Sequence, residues 1–293
     1  MQQNYLLELE GKPAGRFFDF SGGTVRGEVV EEIGGSNKHI GSPRFQDMEL
    51  TCGTGMSKAF YEWLGSGFSG STLRKNGAIV LLDQKQKATA RLEFSDAFVS
   101  SVVLPQLQRS ANKQAFLKVS ISPEYTSAKK TDTTKLGVYV SASAKAWNIS
   151  SFRLKISGLE KECSQVTKIN SLSLTKASKA YSAGNMRVMT KEPATSELSD
   201  LIIQLPDLHA DGFYKWLDDF VIHGRNSSQF EKKGILEFFA PNSTKAYFGL
   251  EFGGLGIIGL AGASAIRTKT STPVGVEMYC EKMRFYAGAA AIM

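Results

Sequence analysis

The sequence predicts a mainly β chain with some helix (β+α): two tandem antiparallel barrels or sandwiches, each carrying one packed helix. Three observations predict it. Apolar residues alternate with polar ones in most segments long enough to be strands. Only one segment in each half has helical spacing. The second half also rewrites the first in the same order. Lys58–Leu64 reads KAFYEWL and Asp211–Leu217 reads DGFYKWL, so the frame Phe-Tyr-x-Trp-Leu occurs twice at an offset of 153. YLLELEG from Tyr5 lies over FRLKISG from Phe152, at 147. RKNGAIVLL from Arg74 lies over EKKGILEFF from Glu231, at 157. ARLEF ending at Phe94 lies over FGLEF ending at Phe252, at 158, and FLKVSISPE from Phe116 over GVEMYCEKM from Gly275, at 159. The offsets rise slowly and never reverse, as small loop insertions in a duplicated domain would produce. A length of 293 residues is also about two ordinary domains. The expected boundaries are a first domain over 1–128, a linker over 129–150 and a second domain over 151–293.

The elements follow in order. Tyr5, Leu7 and Leu9 alternate in the first strand, and Phe152, Leu154 and Ile156 in its repeat. Polar excursions come next, about Arg26–Arg44 in the first copy and Thr175–Ser196 in the second, and read as long loops. MSKAFYEWLGSG offers Ser57 as a helix N-cap, Phe60 and Leu64 four apart, and Gly65 as a stop. DLHADGFYKWLDDFVIHG puts Phe213, Trp216, Leu217 and Phe220 on one stripe, ended by Gly224. Phe60, Trp63, Leu64, Phe213, Trp216 and Leu217 are therefore the expected anchors of the two helices, because a buried indole removes the most apolar surface from water. Strands are expected in the pairs GAIVLLD and GILEFFA, ATARLEFSDAFVSSVVL and AYFGLEFGGLGIIGL, and AFLKVSISPEY and VGVEMYCEKMRFY.

Composition narrows the function. The chain is 42% hydrophobic and 22% charged, an ordinary globular balance. The net charge of +7 divides into +4 over residues 1–150 and +3 over the rest, so no basic arm of the nucleic-acid type is present. Cys52, Cys163 and Cys280 are far apart and form no CxxC, which argues against zinc and for a reducing compartment. MQQNYLLELEGK lacks the basic and apolar regions of a signal peptide. GGLGIIGLAGASAI, Gly253–Ile266, is too short to span hydrocarbon as a helix. It follows the same Leu-Glu-Phe as the first copy's SDAFVSSVVL and reads as a strand, so no membrane association is expected.

Catalytic chemistry is not apparent. His39, His209 and His223 form no metal-ligand spacing, and no GxSxG or complete dinucleotide fingerprint occurs. Gly53-Thr54-Gly55 lacks the third glycine and the βαβ setting. Glu28–Ile33 reads as a solvated acidic loop. No enzyme, cofactor or metal site is expected, and assembly or binding is the class that remains. A tandem carbohydrate- or protein-binding β module is the alternative. It would carry exposed aromatics in its loops, and only Trp147, near the linker, is placed to serve.

YLLELEGKPAGRFFDFSGG, then GSPRF at Gly41–Phe45, RFQDMELTCGTGMSKAFYEWL and RKNGAIVLLD at Arg74–Asp83 together resemble the contractile phage tail-tube proteins. That fold also occurs in R-type pyocins, extracellular contractile injection systems and type VI secretion tubes. The resemblance covers most of residues 4–125. In the second copy it rests on the duplication with GFYKWL, KKGILEFF and VGVEMYCEKM. It implies a structural subunit of the inner tube, or of a tube-initiating baseplate ring, in a virion tail or a cytoplasmically assembled injection particle. It implies six tube domains closing a ring around a channel, with neighbouring tube, sheath, spike or baseplate partners. Lumen cargo, DNA or effector protein, would pass without sequence-specific binding. Two domains per chain favour a trimer with pseudo-sixfold symmetry; a ring of six chains with the second copy outside it is the competing arrangement. Contacts between successive rings are expected from Glu31, Glu32, Lys38, His39 and Arg44 in the first excursion and from Arg187 and Lys191 in the second.

Overall fold

Period-two patterns need a partner strand before they become structure, and in this chain nearly all of them find one antiparallel. The computed structural model describes residues 4–31, 37–68, 72–130, 147–181, 188–239, 244–262 and 270–289. The first half runs β1 (Asn4–Leu9), β2 (Lys12–Gly22), β3 (Val25–Glu31), β4 (Lys38–Phe45), β5 (Met48–Met56), α1 (Lys58–Gly67), β6 (Lys75–Leu82), β7 (Ala88–Leu104), the short β8 (Leu107–Gln108) and β9 (Gln114–Ala115), β10 (Leu117–Ser122) and β11 (Tyr125–Lys130). The second half runs β12 (Trp147–Asn148), β13 (Phe152–Ile156), α2 (Glu160–Cys163), β14 (Lys168–Ile169), β15 (Leu172–Tyr181), β16 (Thr190–Leu198), β17 (Leu201–Pro206), α3 (Asp211–Leu217), β18 (Lys232–Phe239), β19 (Ala246–Ala261) and β20 (Pro273–Ala287). A 3₁₀ turn at Asp207–His209 precedes α3, and a π turn at Asp218–Ile222 follows it.

In the first half β1, β2, β5, β10, β7 and β6 pair in that cycle, and β6 returns to β1. Six strands thus close a barrel, which leaves no open edge among them. The turn from β1 to β2 is two residues, Glu10 and Gly11, with φ of 50° and 74°. Two left-handed residues match the twist of an antiparallel pair. Leu7 and Leu9 face the main core as the alternation predicts, but Leu6 and Glu8 are buried as well. Leu6 pairs with Val80 and packs with Ala78, Leu82 and Ala88 on the other face, and Glu8 meets Arg91. A barrel covered on both sides buries both phases of a strand, which a half-buried pattern does not anticipate.

The second half forms the open sheet β13-β18-β19-β20-β17-β14, a half-barrel. After β13 the chain turns at Gly158, φ 76°, and enters α2 instead of folding back as a long strand. The final strand also differs. Pro123, which has no N–H for the ladder, separates β10 from β11. Lys282 stands at the matching place and β20 runs on unbroken, paired there with Gly253.

The two polar excursions are not irregular loops. They are hairpins, β3–β4 and β15–β16. The β-branched residues Val25, Val29, Val30 and Ile40 supply strand-forming side chains in the first, and Glu28 to Glu31 of the expected acidic loop lie in β3. The Leu-Glu-Phe segment with its apolar tail is strand β19, as expected. Among the described residues no helix is long and apolar enough to cross a membrane.

Candidate assembly surface

The halves are joined by three kinds of contact. The first is a shared sheet. Leu172, Ser173, Leu174 and Thr175 of β15 pair with Leu104, Val103, Val102 and Ser101 of β7, so the second half's hairpin extends the first half's barrel wall. Leu172, Leu174 and Lys176 lie in phase and are buried. The Lys176 ammonium donates to Thr72 Oγ1 at 2.8 Å, and burial lowers its pKa. Conversely β8 from the first half adds to β14, and β9 pairs with β12.

The second contact is α1. Ser57 Oγ accepts from the Phe60 amide, which caps the helix. Phe60, Tyr61, Trp63 and Leu64 are fully buried. Trp63 Nε1 donates to the Leu73 carbonyl at 2.9 Å. Tyr61 stacks on Phe248 of the second half, centroids 5.2 Å apart, and Phe248 in turn packs against Phe238 and Trp147. Gly65 lies so close to β20 that a Cβ there would stand 2.5 Å from the Phe285 carbonyl oxygen. Burial drives the pKa of the Tyr61 hydroxyl and the Cys52 thiol upward, and that of Cys163 up to about 12, so these groups stay neutral.

The third is a polar clasp. Lys191 on β16, its side chain only 13% exposed, donates to Asp47 Oδ1 at 3.0 Å, Ser122 Oγ at 3.1 Å and the Phe45 carbonyl at 2.7 Å. Ser122 and Ser100 hydroxyls both donate to Asp47. Arg74 bridges Glu124, at 2.7 Å, and the Lys191 carbonyl. On the other side Arg109 donates to the Val166 carbonyl and lies 4.7 Å over Phe152.

The residues expected at successive rings therefore divide. Lys191 is engaged within the chain. Glu31 and Lys38 form an exposed ion pair of 2.9 Å, and Arg44 grips Glu28 with two nitrogens. His39 is exposed opposite Val30. Glu32 and Arg187 lie outside the described residues, as do residues 131–146 of the expected linker. Among the second helix's anchors Phe213 and Trp216 are buried and Leu217 is half-buried. Trp147 does not sit on a groove: it is 2% exposed and belongs to the aromatic cluster. All three tryptophans are thus core residues. Sequence reasoning missed Asp47, Arg74, Arg109 and Lys176. The one available signal was Lys176, a charge in phase with Leu172 and Leu174, on the apolar face where a half-buried strand would place none.

Residues 2–127 match the family model described as T4-like virus tail tube protein gp19. The resemblance read from the first copy is borne out over that stretch, and the family it matches is a structural one. No curated protein matches the chain. Among solved structures, the sheath–tube complex of the extracellular contractile injection system PVC is 16% identical, with a TM-score of 0.37 over 43% of this chain and 88% of that one. Hcp1 from Flavobacterium johnsoniae is 16% identical, with a TM-score of 0.32 over 44% and 96%. The baseplate of the anti-feeding prophage, AFP, is 8% identical, with a TM-score of 0.30 over 64% and 93%. With TM-scores below 0.5 these likenesses carry no argument about function.

Proposed function

We propose that the chain is a structural subunit of a contractile tail or tail-like injection particle, and that it forms a ring of tube-type domains around a central channel. One observation carries the reading. The half that matches the tail tube family is a closed barrel whose wall is continued, strand by strand, by a hairpin from the duplicated half. Two tube-type domains thus sit side by side inside one chain, and repetition of that arrangement makes a ring. The chain therefore supplies two of six domains, and three chains close a ring with pseudo-sixfold symmetry. The halves differ, so the ring has two kinds of interface. That suits a tube-initiating baseplate ring, which meets a threefold spike on one side and a sixfold tube on the other. The expected domain boundaries at 1–128 and 151–293 remain our division, with β8 and β15–β16 crossing it. The exposed ends of the hairpins, with Glu31, Lys38 and His39, are assigned to contacts along the tube axis. Cargo passes through the lumen without sequence-specific contact.

Native mass spectrometry with electron microscopy tests this. Rings of three chains of 31.9 kDa support it. Rings of six chains refute the symmetry, and a persistent single chain refutes the assembly and returns the tandem binding module.

A further inference from the structure

The contacts that join the halves within a chain have counterparts that are unoccupied among the described residues. Inside the chain, β6 covers one side of β7 only as far as Ala97, and β15 takes up the same side from Ser101 to Leu104. In the second half β18 covers the matching side of β19 only as far as Leu255. Residues 256–261 of β19 pair with β20 on the other side, with a bulge at Ile258, and among the described residues nothing pairs with this one. The hairpin that corresponds to β15–β16 is β3–β4, whose strands pair only with each other among the described residues. Where Leu172 is buried, its counterpart Val25 is 56% exposed; further along the same strand Val29 is 57% exposed, and Ile40, opposite Val29, is 61% exposed. On the β19 edge Ile258 is 45% exposed. A hairpin with exposed apolar residues and an open strand edge are each a hazard alone and complementary together.

We propose that the root of β3 pairs antiparallel with residues 259–261 at the end of β19 in the next copy of this chain, in the register that β15 and β7 use internally. This rests on the ring reading above. Transferring the internal pairs by the offsets of the duplicated strands sets Arg26 opposite Ala261 and Glu28 opposite Gly259. The same displacement repeats the α1–β20 contact. The Asp218–Ile222 turn of that next copy, counterpart of the end of α1, then meets β11 of the chain that supplied β3. By the same offsets the approach of Gly65 to Phe285 becomes Asp218 beside Thr126, and the turn covers Val221, Ile222 and Tyr125, which are 48%, 72% and 47% exposed. The open strand edge, the hairpin that fits it and the exposed apolar residues at both stations identify the occupant as a second copy of this chain. The interface is head-to-tail, so it propagates beyond a dimer and makes a ring where its rotation closes.

A mixture of full-length Arg26→Cys and Ala261→Cys chains, oxidised mildly after assembly, tests the register. Both positions are exposed in the single chain, so neither substitution disturbs folding. A covalent two-chain band is expected from the mixture and from neither variant alone. Val29→Asp with Ile40→Asp is expected to raise the concentration needed for assembly at least about tenfold, with an unchanged melting temperature for the single chain. Wild-type rings accompanied by no cross-link in the mixture, or rings unaffected by the double substitution, overturn the docking and leave the ring reading standing. A wild-type chain that stays single overturns both.

Discussion

In the first half the chain leaves β1 through Glu10 and Gly11, both left-handed, and returns as an eleven-residue strand that helps close a barrel. In the second half it leaves β13 through Ser157 and Gly158, where only the glycine has positive φ. Leu159 follows at φ −134°, and a four-residue helix takes the place of the returning strand. Leu159, Cys163 and Val166 are buried there, so the segment still caps the core, but the sheet stays open. The closed barrel thus follows a turn with two left-handed residues and the half-barrel a turn with one. The helices diverge in the same way. α1 is capped, fully buried on its apolar face and wedged against the other half, while α3 has no side-chain cap and leads into a π turn that ends in exposed Val221 and Ile222. The first copy keeps the regular fold, and its helix serves the second copy's core as well as its own.

The helices offer the largest test of this contrast. Trp63→Ala is expected to cost about 3–5 kcal/mol by denaturant unfolding. Trp216→Ala is expected to cost less, because Trp216 retains some exposure and its indole N–H has no acceptor among the described residues to lose. Equal losses would mean that α1 has no special role between the halves. Gly65→Ala comes next. Alanine favours an isolated helix by about 1 kcal/mol, yet here the new methyl would meet the Phe285 carbonyl, so a net loss of about 1–3 kcal/mol is expected. Thermal melting that shows a gain would place α1 away from β20.

Lys191→Ala should have a smaller effect, about 1 kcal/mol, since Asp47 keeps two serine donors and is itself 46% exposed. Hydrogen exchange should then rise in β15–β16 and not in β3–β4; uniform protection would show that the clasp does not hold the hairpin. The smallest change belongs to the free hairpin. Arg44→Ala removes a pair whose side chains are 55% and 41% exposed, and single-chain stability should move by less than about 0.5 kcal/mol. A larger loss would show that β3–β4 is already packed within its own chain, against the contrast with Lys191.

Much of the fold was legible. The strand β7 and its repeat β19 follow directly from alternation beside Leu-Glu-Phe, and the Ser57 cap with the Phe60–Leu64 spacing marks α1. The hairpins were not legible as strands, because Lys, Glu, Ser and Thr dominate them and their apolar residues meet no core of their own. The assembly surface was legible only in part. Charged residues were read as contacts for other rings, but a side chain's sequence position does not say whether a distant carboxylate will neutralise it, as Asp47 does for Lys191.

By itself the sequence determined the duplication, the β class, the helix anchors as a repeated cluster and the likeness of the first copy to tail tubes. These depend on local spacing, on burial averaged over a strand, and on order along the chain. The tertiary structure decided which barrel closes, which hairpin is used within the chain and which is left free. Those outcomes turn on backbone hydrogen bonds between residues far apart, such as Leu174 with Val102, and backbone groups are the same in every residue but proline. Their pairing leaves little trace in side-chain pattern, so only the folded chain shows that β15 has found an edge and that β3, among the described residues, pairs with β4 alone.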